Sequence, residues 1–201
     1  MRLRKLGMAL SKLDVKENMV ASLEQYVTPG DLASRWLFDI QAFGALSSGC
    51  RVADLGAGNG ILGIGAVMMG AGFVKLVEAD QKLCELAKAN AESVLMNGKY
   101  EVCNRIIGKD SLQLEGYDLI ISNPPWGRQK EGADSDFIEY ILASKTQVNC
   151  FFKAYILFVY FFLPSYSFVF FRLFVKIQLW CPTKIFSTNS IKYDRKICFK
   201  T

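Results

Sequence analysis

The 201-residue chain is 51% hydrophobic and carries a formal charge of +5, enough length and apolar content for one buried core rather than a disordered or repetitive chain. It has six cysteines, no C-x-x-C pair and no histidine, which excludes a Cys/His zinc site, a Ser-His-Asp triad and a Cys-His nucleophile and makes a disulfide framework unexpected. The basic excess is local: residues 1–147 hold 16 Lys and Arg against 18 Asp and Glu, whereas residues 148–201 hold 8 against 1.

The first residues, MRLRKLGMALSKLDVKENMV, are amphipathic but lack the apolar core and small-residue cleavage site of a secretory leader, so a cytoplasmic or nuclear setting is expected. DLASRWLFDIQAF predicts a helix, an N-terminal addition to the strands and helices beyond Arg51. RVADL, Arg51 to Leu55, is a short apolar strand; a glycine loop comes after it, and ILGIGAVMMGAG reads as a helix rich in small residues. FVKLVEAD predicts a second strand ending in Glu78 and Asp80. QKLCELAKANAESVLMNG places Leu83, Leu86, Ala87 and Val94 on one helical face, with Gly98 expected to cap its C-terminus. YEVCNRII and YDLIIS complete a set of four strands alternating with helices, the pattern of a parallel α/β sheet covered on both faces.

Three features point to a nucleoside site. The loop DLGAGNG, Asp54 to Gly60, joins a strand to a helix, where Gly56 and Gly58 let the backbone bend and approach a ligand. Glu78 lies 22 residues beyond Gly56, at a strand tip suited to accept hydrogen bonds from two ribose hydroxyls. Asp110 comes after the third strand, where it can accept from an adenine amino group or be a solvated loop or helix N-cap aspartate. The loop is G-x-G-x-G rather than the dinucleotide fingerprint G-x-G-x-x-G, and Asp54 would attract an ammonium but repel a pyrophosphate. S-adenosylmethionine (SAM) therefore fits better than NAD.

The stretch NPPW, Asn123 to Trp126, ends the fourth strand, since neither Pro124 nor Pro125 has an N–H to continue a ladder. An amino group conjugated to a ring or carbonyl has a delocalised lone pair and attacks a sulfonium methyl poorly. Acceptors for both of its hydrogens draw the nitrogen toward sp³ geometry. Asn123 Oδ1 and the Pro124 carbonyl can be those acceptors, and Trp126 can stack on the planar group. The proton can leave after methyl transfer, because the product is a cation, so the lack of histidine is no obstacle. The motif itself leaves adenine, cytosine, guanine and glutamine-amide nitrogens open as acceptors of the methyl group.

LEQYVTP (Leu23 to Pro29), VADLGAGNGILGIGAVMMGAG, EADQ and NPPWG together resemble the methyltransferase-like protein 5 family and its archaeal relatives, over about residues 10–147. That resemblance implies a Rossmann-like SAM-dependent methyltransferase sheet acting on adenosine N6 in small-subunit ribosomal RNA. It implies that Gln25, Tyr26 and Thr28 close over SAM, that Asp54, Gly56, Gly58, Glu78 and Asp110 hold it, and that Asn123, Pro124, Pro125 and Trp126 hold the adenine. It also implies a small zinc-containing activator subunit covering a sheet edge.

The domain reading is residues 1–147 as the methyltransferase unit, with 1–49 an extension and 50–147 the core, and a divergent tail at 148–201. The tail holds 16 of the 26 aromatic residues and departs from the family pattern. Without a strand or helix period, it reads as a membrane segment through residues 154–171, an aromatic and basic nucleic-acid arm, or translated noncoding sequence replacing the usual end. On these readings the sheet is C-terminally incomplete, and a partner-binding or membrane-attached remnant without turnover is the alternative to an active enzyme.

Overall fold

The computed structural model describes residues 1–16, 27–124, 137, 139 and 140, together with the backbone of three strands between Val148 and Leu173. Among the described residues, two helices, α1 (Leu3–Leu10) and α2 (Gly30–Ala42), precede the sheet. Leu6 and Leu10 of α1 and Leu37 and Ile40 of α2 are essentially inaccessible and belong to one core cluster with Ile64 and Leu76. The N-terminal addition is thus part of the main core rather than an appendage.

Strand β1 (Arg51–Leu55), helix α3 (Ile61–Met68), β2 (Phe73–Glu78), helix α4 (Gln81–Val94), β3 (Tyr100–Asn104) and β4 (Leu119–Ser122) alternate as the hydrophobic pattern predicts. β1 pairs in parallel with β2 and with β4, and β2 pairs in parallel with β3. Alternate residues serve opposite faces: Val52, Val74, Leu76, Leu119 and Ile121 face the helices α1–α4, whereas Ala53, Leu55, Val77 and Ile120 pack with Ile107, Leu114 and Tyr117. Helix α4 starts on Asp80, whose side chain accepts from the Lys82 and Leu83 amides. It ends sooner than Gly98 suggested, because Leu95 is already extended; Gly98, at φ +81°, shapes the turn into β3 instead.

The tail departs further from its sequence reading. β5 (Val148–Lys153) pairs in parallel with β4, and β6 (Ile156–Leu163) and β7 (Tyr166–Leu173) continue the sheet as antiparallel neighbours. The sheet therefore has seven strands in the order β3-β2-β1-β4-β5-β6-β7. ILFVYFFL and YSFVFFRL are runs of aromatic and β-branched residues with high strand preference, and continuous apolar runs carry no period to read. Most of the stretch weighed as a membrane segment is thus β-strand, and among the described residues no helix is long and apolar enough to cross a membrane.

Strand order reverses between β1 and β4: the chain moves outward to β3, then returns to the other side of β1. The crevice at the carboxyl ends of these two strands is where open α/β sheets bind ligands. The loops carrying Gly56, Glu78, Asp110 and Asn123 all leave the sheet at that edge.

Candidate functional site

Asp54 is the penultimate residue of β1 and is 1% exposed. Its Oδ2 accepts from the Gly63 amide at 2.8 Å, while Oδ1 is buried with no partner among the described residues. That contact needs α3 to lie close against the sheet at Gly63, where a Cβ would collide with Leu76 and Val74. Burial raises the Asp54 pKa to about 7, against a lowering by the Gly63 amide, with nearby Glu78 raising it further. A buried carboxylate with an open lone-pair side is an acceptor waiting for a cation.

The glycine loop folds over the tip of β2. The Gly56 and Ala57 amides donate to the Val77 carbonyl at 2.9 and 3.0 Å, and the Gly58 amide donates to Glu78 Oε2 at 2.9 Å. Gly56 sits at φ +72°, and a Cβ there would come within 3.1 Å of the Phe137 ring. Glu78 Oε1 accepts from the Ala79 and Asp80 amides at 2.9 and 3.0 Å. These bonds aim the carboxylate, which retains lone pairs for hydroxyl donors because each oxygen can accept more than one bond. Asn104, at the end of β3, donates to the Glu78 and Ala79 carbonyls at 3.0 and 2.9 Å and fixes the same turn from the far side.

Asp110 is half-buried, and its Oδ2 accepts from the Ile106 amide at 2.7 Å. The bond runs to a residue four positions earlier, so Asp110 braces its own loop and does not act as a helix N-cap.

Asn123 comes directly after β4. Its Nδ2 donates to Thr28 Oγ1 at 3.0 Å across 95 residues of sequence, and Thr28 is 7% exposed. The residue expected to cover the cofactor thereby holds the residue expected to hold the substrate. Ser122 Oγ, buried beneath, donates to the Leu55 carbonyl at 2.7 Å and ties the ends of β4 and β1 together. Pro124 is buried. Gln25, Tyr26, Pro125 and Trp126 lie outside the described residues.

Several residues around the site were not singled out from sequence. Phe137 borders Gly56, and Tyr140 Oη both accepts from the Leu112 amide and donates to the Leu112 carbonyl at 2.9 Å. Their spacing in DFIEY, three apart on one helical face, was the available signal. Asn59, Asn90 and Asp14 form a polar cluster beside the glycine loop that no local pattern announces.

The family model described as "Methyltransferase small domain" matches residues 29–149. The rRNA N(6)-adenosine-methyltransferase METTL5 of Danio rerio is 29% identical over 147 residues, covering 73% of this chain and 71% of that protein. The corresponding enzyme of Drosophila melanogaster is 32% identical over 149 residues, covering 71% and 68%. Among solved structures, a protein from Pyrococcus horikoshii described as a "putative RNA methyltransferase" superposes with a TM-score of 0.67 at 34% identity, covering 75% of this chain and 71% of that one.

Proposed function

The chain belongs to the methyltransferase-like protein 5 family, a family of SAM-dependent methyltransferases, and from that premise we propose that it methylates adenosine N6 in small-subunit ribosomal RNA. The observation that carries the reading is the Asn123–Thr28 hydrogen bond at the mouth of the β1/β4 crevice, a substrate-type amide set beside a cofactor-type loop. In this reading Asp54 pairs with the ammonium of the methionine moiety, Glu78 accepts from the ribose hydroxyls, and Asp110 accepts from the cofactor adenine. Gly56 and Gly58 allow close backbone approach, and Gln25, Tyr26 and Thr28 are assigned to the cofactor as well.

With Nδ2 engaged by Thr28, Asn123 Oδ1 is the atom that offers acceptor character to a substrate amino group. The Pro124 carbonyl takes the second N–H, and the role assigned to Trp126 is stacking on the base. The two acceptors would localise the N6 lone pair. SAM, when bound, would supply the electrophilic methyl group and leave as S-adenosylhomocysteine, and the methylated nitrogen would lose its extra proton to water.

Residues 1–147 are slightly acidic and supply little general attraction for RNA phosphates. A zinc-containing activator subunit at the sheet edge and the basic residues of the tail are the proposed sources of RNA affinity, in a cytoplasmic or nuclear setting. Titration with SAM, alone and with the activator, tests the site together with acceptor assays on ribosomal RNA and on glutamine-bearing protein. One-to-one binding that survives Asn123→Ala, with RNA methylation lost in that variant, is expected. Methylation of protein alone would shift the reading to a glutamine methyltransferase. Unchanged RNA methylation by Asn123→Ala would overturn the assignment of NPPW.

A further inference from the structure

Helix α4 buries an amide where its neighbours are small and apolar. Asn90 is 2% exposed, between the fully buried Ala87 and Ala91. A polar side chain at such a position is costly unless every polar atom is engaged. Asn90 Oδ1 accepts from the Asp14 amide at 2.8 Å, and Nδ2 donates to the carbonyls of Asp14 and Asn59, each at 3.0 Å. Asn59, within the glycine loop, donates in turn from its own Nδ2 to the Asp14 carbonyl at 3.1 Å. Two residues beyond Asp14, Lys16 Nζ forms an ion pair with Asp80 Oδ2 at 2.8 Å.

These contacts close around the cofactor loops. Asn59 adjoins Gly58, whose amide donates to Glu78, and the Asp80 amide donates to the same carboxylate. Residues 14–16 are thereby fastened to the turn after β1 and to the turn after β2 at once. We propose that Asn90 is a positioning residue for SAM: through Asp14 and Asn59 it holds the N-terminal arm against the glycine loop, so that cofactor affinity depends on it more than turnover does. The proposal rests on the placement of SAM at that loop.

The test is calorimetric titration with SAM, and kinetics with ribosomal RNA, for the unmodified chain, Asn90→Leu and Lys16→Met. Asn90→Leu keeps the branched shape, with two bulkier methyl groups in place of the polar atoms, and deletes all three hydrogen bonds; Lys16→Met removes the second anchor from a partly exposed position. The expected result is a rise of about tenfold or more in Kd and KM for SAM in Asn90→Leu and about threefold in Lys16→Met, with kcat at saturating SAM within about twofold. A merely structural role would lower thermal stability and the active fraction while leaving KM for SAM unchanged, and that result would overturn the proposal. Should Asn90→Leu fail to fold, Lys16→Met decides alone: an unchanged KM for SAM refutes the clasp. Absence of SAM binding by the unmodified chain would refute the placement of SAM, and the proposal with it, whereas normal binding by both variants refutes the positioning role only.

Discussion

Replacing Asp54 by asparagine should abolish a pH dependence that the fold itself creates. Burial holds the carboxyl at about 7 instead of 3.8, so its charged form is disfavoured in the folded protein by about 4 kcal/mol. Between those two values the folded state binds more protons than the unfolded state. Asp54 therefore costs stability as pH rises from about 4 to about 7, and the full cost is present above 7. A cation against the orphaned Oδ1 offsets that cost by favouring the carboxylate. SAM binding should then release close to one proton at pH 5.5, and its Kd should tighten by about tenfold per unit toward pH 7 before levelling. Calorimetry in buffers of different ionisation enthalpy measures both quantities. Asp54→Asn should raise the apo melting temperature at pH 8, weaken SAM binding and remove the proton release. A Kd independent of pH between 5.5 and 7 in the unmodified chain, or unaltered binding by Asp54→Asn, would refute the pairing.

Thr28→Val removes the acceptor that holds Asn123 Nδ2 while keeping the volume, so kcat should fall by about tenfold and Thr28→Ser should restore it; equal kcat values in both variants would show that the bond does not position the amide. Glu78→Ala frees the Gly58, Ala79 and Asp80 amides together, and a calorimetric titration should show SAM affinity reduced by at least about a hundredfold. Gly63→Ala drives a methyl group into Leu76 and Val74 behind Asp54; denaturant unfolding should register a loss of about 1–3 kcal/mol, and full stability would mean that α3 can withdraw from the sheet.

How far fold and site could be read from sequence depended on how local each signal is. β1 begins and ends where RVADL does, because its apolar run is bounded by a charge and a glycine loop. Asp80 caps α4 through its own side chain, a contact within three residues of sequence. Glu78 and Asp54 could be placed at the carboxyl ends of their strands because strand tips and glycine loops have fixed spacing. Gly98 misplaced the end of α4, since a positive-φ glycine serves a turn as well as it serves a cap. Asn90 and Thr28 were not legible as bonded residues: their partners lie 76 and 95 positions away, and only the assembled sheet brings them together. The tail strands escaped because a run of apolar residues shows neither the period of two nor that of 3.6, although their aromatic and β-branched content favours strands.

Transfer of a methyl group to adenosine in ribosomal RNA can be read directly on the nucleosides. The measurement is incubation of the chain, with and without the proposed zinc-containing activator subunit, with methyl-labelled SAM and small-subunit ribosomal RNA, then digestion to nucleosides and mass spectrometry. Label confined to N6-methyladenosine, and lost with Asn123→Ala, is the predicted result. Label in another nucleoside, or none from a folded chain that binds SAM, would contradict it.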